Sequence, residues 1–157
     1  MSRFHPVLFG LIGLLTTACA PQNVAIRQVD LQDVPRRTAF FATNPMALDE
    51  AFKEGCNGPG DIFRRIDGDT AQCALLPTPE GAAFLLVTFD AQLEEPRLIV
   101  EKRTRRDGDG YRVEMSYYAE VLAKTGKRQR IYMPRRTLDR QIDMILTNSG
   151  GQLDDRP

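Results

Sequence analysis

The chain has 157 residues, 42% of them apolar and 27% charged, and its formal net charge is zero. That length suits one domain plus a short appendage, and the composition excludes wholesale disorder and an integral membrane protein built of many spans. The charge is nevertheless polarised. From Cys19 to Pro96 there are 6 Lys/Arg against 12 Asp/Glu, and from Arg97 to Arg140 there are 13 against 6. Such asymmetry either pairs off inside the fold or leaves the basic half to an anionic partner.

Arg3 precedes an apolar run from Val7 to Leu15, and the small residues Thr16, Thr17 and Ala18 stand before Cys19. The run is well short of the about 20 apolar residues a permanent spanning helix needs. Residues 1–18 therefore read as a cleaved export signal. Leu15-Thr16-Thr17-Ala18-Cys19 resembles the lipobox of bacterial lipoproteins, with Thr16 three residues before the cysteine where Leu is commonest. The resemblance implies diacylation of the Cys19 sulfur, cleavage before it, and acylation of the new amino group. Ala20 is not acidic, which in that family implies the outer membrane of a diderm cell, with the protein facing the periplasm. An ordinary secretory signal cut after Ala18 is the alternative.

Cysteine arithmetic agrees with the lipid reading. An unpaired thiol is reactive in an exported protein, and three cysteines leave one over. With Cys19 acylated, Cys56 and Cys73 remain to form a disulfide in an oxidising compartment. Closing that loop stabilises the fold by about 3 kcal/mol on the chain-entropy model. Zinc needs about four ligands, and the only histidine, His5, lies in the signal. No metal or cofactor is expected.

Residues 19–43 read as a lipid-anchored tether whose apolar positions Val24, Ile26, Val29, Leu31, Val34, Phe40 and Phe41 suggest extended docking over the core. The domain proper is expected over 44–151. Asn44 and Pro45 open a first helix that Gly55 stops. Asp61 then caps a short helical turn carrying Ile62, Phe63 and Ile66. Strands are predicted over 70–76, 82–90, 97–106, 111–123 and 128–133. The fourth alternates most clearly, with Tyr111, Val113, Met115, Tyr117, Ala119 and Val121 on one face. Gly108 at the first central position of a two-residue turn sets Val100 opposite Tyr117, Leu98 opposite Ala119 and Arg103 opposite Glu114. A three-residue loop at 125–127 sets Val121 opposite Ile131 and Ala119 opposite Met133. Thr137 caps a last helix with Leu138, Ile142, Ile145 and Leu146 on one face. Residues 152–157 are expected as a loose tail. The predicted fold is α+β, an antiparallel meander of four to five strands packed by an N-terminal and a C-terminal helix.

Loss of His5 with the signal removes Ser-His-Asp, Cys-His and most zinc catalysis, and no phosphate loop or calcium loop is present. The domain is therefore read as a binding module of the cell envelope and not as an enzyme. A carboxylate-dependent hydrolase, using acids among Glu94, Glu95, Glu101, Glu114 and Glu120, is the alternative, with a structural spacer as a third. The candidate surface is basic: Arg103, Arg105, Arg106, Arg112, Lys127, Arg128 and Arg130, with Tyr118 among them and Lys124 beside them. Arginine forks at hairpin ends suit phosphate-rich lipid, glycan or acidic protein. Nucleic acid suits the charge but not the compartment, and the partners expected are membrane lipid through Cys19 and an anionic envelope component. A solvated sheet face accounts for the same residues without a partner.

Overall fold

The computed structural model describes residues 26–92 and 96–154. They form an α+β fold: three helices and an eight-stranded antiparallel sheet, in the order β1 (Arg27–Gln28), β2 (Arg37–Phe41), α1 (Met46–Glu54), β3 (Ile62–Arg65), β4 (Thr70–Leu75), α2 (Pro79–Thr88), β5 (Arg97–Asp107), β6 (Gly110–Leu122), β7 (Arg128–Tyr132), α3 (Arg136–Asn148) and β8 (Gln152–Leu153). A 3-10 turn at Leu31–Asp33 follows β1. The main path of the sheet is β1-β7-β6-β5-β4-β3. Strand β6 organises it: β5 runs along one side for its whole length, and β2 and β7 share the other side end to end.

The β5–β6 hairpin has the expected register, with Val100 opposite Tyr117, Leu98 opposite Ala119 and Arg103 opposite Glu114. Gly108 takes a positive φ of 59° in its turn, as a first central position requires. Gly110 serves a different purpose, because a Cβ there would lie 2.4 Å from the Phe41 carbonyl oxygen where β2 passes. The β6–β7 register is displaced by two residues from the expectation: Ala119 faces Ile131, and Val121 faces Gln129. The loop spans 123–127 and not 125–127, because Ala123 leaves the ladder to bridge Ala91 and to donate to the Lys127 carbonyl.

Two predicted elements change type. Residues 82–90 were expected as a strand and form most of α2, because Thr78 accepts from the Gly81 N–H at 3.2 Å and Pro79 occupies the first turn. The helical turn expected after Asp61 is strand β3, paired to β4 from Ile62–Ala74 to Arg65–Ala71. Asp61 instead closes the preceding loop by accepting from the Gly58 N–H at 3.0 Å. Helix α1 begins at Met46, one residue beyond the expected start, and α3 begins at Arg136 without a side-chain cap from Thr137.

The expected tether and tail also join the sheet. From Ile26 onward the segment lies against the domain: β1 pairs with β7, and β2 pairs with β6. Gln152 and Leu153, expected loose, pair with Phe40 and Ala39 of β2. Backbone groups at a sheet edge must find partners, and these short strands supply them to β7 and β2.

All three helices pack on one face of the sheet. Leu48, Ile142 and Leu146 join Val113, Met115 and Tyr117 in the larger cluster, while Leu85 packs with Ala119, Val121 and Ile131. Lys102 shares this face and is only 3% exposed. It is held by Asp49 of α1 and by the Thr104 hydroxyl at 2.8 Å, so its charge enters the core paired.

Candidate functional site

On the sheet face turned away from the helices, Thr70, Arg103 and Glu114 lie in one row, Gln72, Glu101 and Ser116 in the next, and Ala74, Ile99 and Tyr118 beyond. The basic residues are interleaved with acids. Arg105 and Arg36 both reach Glu114, the latter at 3.7 Å. Arg112 binds Asp107 at 2.7 Å and Asp154, and the Asp107 hydrogen bond, with Asp154 beside it, raises its affinity for its proton. Glu120 takes Arg128 at 2.8 Å and Arg130 at 4.0 Å. Arg103, Arg106 and Lys127 are exposed, but Arg106 and Lys127 belong to different hairpin ends. The set does not converge on one concave surface.

Tyr118 lies on that face but is 2% exposed. Residues 29–36 close over it: the Val29 N–H donates to the Arg130 carbonyl at 2.9 Å, Val34 is buried in the same cluster as Ile99 and Tyr118, and Arg36 reaches Glu114. Beneath them, Gln72 donates to Glu101 at 2.7 Å and to the Tyr118 hydroxyl at 3.4 Å, while the Arg130 guanidinium sits 5.9 Å from the Tyr118 ring. Burial, reinforced by Glu101, pushes the Tyr118 hydroxyl up to about 12. The arrangement is a closed polar network that fixes a buried tyrosine. Glu101 and Glu120 are spent within it. Glu94 and Glu95 lie outside the described residues.

The helix side differs. A cavity of about 720 Å³ opens between α2 and α3, floored by Leu98, Tyr117 and Ala119 and walled by Leu85, Met133, Pro134 and Leu138. A second, of about 570 Å³, lies between α1 and α3 over Cys73, Leu75, Val100 and Met115. Leu138 and Gln141 line both, so they form one apolar groove with a shared partition. Sites of this size with apolar walls and a few polar groups are the usual form of a binding pocket. The polar groups here are ordered: the Tyr117 hydroxyl accepts from the Arg135 N–H at 2.8 Å and donates to Asp139 at 3.2 Å. Burial raises its pKa above the ordinary tyrosine value.

Helix α2 is one uncovered part of this side, and Met144 and Ile145 of α3, exposed beside the second cavity, are another. The sequence of α2 from Ala82 to Val87 is apolar throughout, yet Leu85 is its only buried residue. Phe84 is 42% exposed and Val87 is 84% exposed. A helix that is apolar all round is normally surrounded. Reading residues 82–90 as a strand hid this surface from the sequence; the start Thr78-Pro79-Glu80 was the signal that could have found it.

Cys56 and Cys73 are joined in a disulfide with their Cα atoms 5.7 Å apart, which ties the end of α1 to β4. Cys19, the expected lipid attachment point, lies outside the described residues. No family model matches the chain, and no curated protein matches it in sequence.

Proposed function

We propose that this chain is an outer-membrane lipoprotein whose domain, anchored through lipid on Cys19 and facing the periplasm, binds another envelope component and performs no chemistry. The observation that carries the binding role is the apolar groove on the helix side, left open although three helices pack there. The disulfide supports an oxidising compartment, and it leaves Cys19 as the odd cysteine. Exposed Arg103, Arg106 and Lys127 add long-range attraction for an anionic envelope component.

The anchor is tested on the protein isolated from its own cells. Mass spectrometry of the N-terminal peptide is expected to find an acylated Cys19, and Cys19→Ser is expected to move the protein from the outer-membrane fraction to the soluble periplasm. An unmodified cysteine with an intact leader overturns the reading. Binding is tested by site-specific photo-crosslinking from Gln141, on the partition of the groove, and from Arg103, on the opposite face. Adducts from Gln141 alone support the groove; adducts from Arg103 alone return the role to the basic face.

A further inference from the structure

Ile26, just ahead of β1, bears on which way the open side looks. Ile26 lies on the wall of the larger cavity, and its side chain is 42% exposed. Leu76, from the end of β4, and Phe84, from α2, line the same cavity and are 41% and 42% exposed. Three separate segments thus put half-exposed apolar side chains around one mouth, and Val87 stands one turn beyond Phe84 on α2. Arg135 lines the cavity and is exposed, with Arg136 following it. Glu80 is the acidic member of the rim.

We infer that this mouth, with the outer face of α2, rests on the surface of a lipid bilayer, which leaves the part of the groove between α1 and α3 to the envelope component. Apolar side chains beside the exposed Arg135 match the boundary between acyl chains and anionic headgroups. The inference rests on the lipoprotein reading for its geometry: six residues separate Cys19 from Ile26, and the seven extended steps between them span at most about 25 Å. The anchor therefore holds the mouth close to the membrane that would cover it. The domain then lies on its α2 side, with the basic hairpin end at Arg106 directed elsewhere.

The chain contains no tryptophan, so one introduced tryptophan reports alone. Phe84→Trp, Val87→Trp and a control, Ile66→Trp at the opposite end of β4, are each made in the full acylated protein. The proteins are reconstituted into vesicles of phosphatidylethanolamine and phosphatidylglycerol, with and without brominated acyl chains. The expected result is a blue shift and bromine-dependent loss of emission at positions 84 and 87 and neither at 66. Equal quenching at all three, or none at 84 and 87 in protein that floats with the vesicles, overturns the inference. A blue shift without quenching, accompanied by crosslinked dimers, overturns it in favour of a second copy. Should Cys19 prove unacylated, the anchor reading falls by itself. The same vesicles added to the unacylated chain then decide the face: a shift at 84 and 87 sustains it, and no shift ends it.

Discussion

The two faces of the sheet differ in what they leave unfinished. The face away from the helices carries most of the arginines, yet Glu114, Glu120, Asp107 and Asp154 answer five of them, and residues 29–36 seal its centre. The one lysine in the floor of the helix side is paired with Asp49, but the helices there stop short of covering Leu75, Leu98 and Val100. Density of charge is thus a poor guide to where this protein has capacity for a partner. Unfilled apolar surface is the better one, because exposed ion pairs are nearly neutral in energy whereas exposed hydrocarbon is not.

The contrast can be broken or sharpened by substitution, starting with the packed part of the helix side. Leu146→Ala is expected to cost about 4 kcal/mol in urea unfolding, since Leu146 is fully buried beneath α3; a cost below about 1 kcal/mol would mean that α3 does not anchor the groove. Replacing Cys56 and Cys73 together by Ser should cost about 3 kcal/mol, measured against the reduced and oxidised parent.

The sealed centre of the opposite face responds to alkali. Tyr118 has a raised pKa in the fold, so its contribution is complete below the ordinary tyrosine pKa near 10 and is lost as pH climbs through about 12. Phenolate absorbance should show Tyr117 and Tyr118 ionising late and together with unfolding; ordinary titration of both would disprove the burial. The pairs around that centre should matter little. Arg105→Ala and Arg128→Ala are each expected to cost under about 1 kcal/mol, and to cost less still in high salt. Smallest of all is Phe84→Ser, within about 0.5 kcal/mol of the parent in stability. A large loss there would show α2 to be buried after all.

Much of the sheet was legible from residues 97–122, where strict alternation and one glycine turn fix both strands and their register. Legibility failed where the deciding partner is distant in sequence. Nothing local in Ile62–Arg65 reveals β4, and nothing in Gln152–Leu153 reveals β2. Alternation also named Tyr118 an outward residue, which is right for the face and wrong for exposure, because the cover comes from residues 29–36. Lys102 was missed for the converse reason: it shares the parity of Leu98 and Val100 and enters the core only because Asp49 meets it. The candidate basic residues are real surface, but their acids are contributed by neighbouring strands and by the tail.

The placement of β1 has a mechanical side. Its two residues are bonded to the end of β7 at the sheet margin. A pull on Ile26 away from that margin acts on those bonds first and then on residues 29–36, which cover Tyr118. It halts at β2, which is clasped between β6 and β8. The start of the domain is thus a short ladder of two residues placed ahead of a longer one of five.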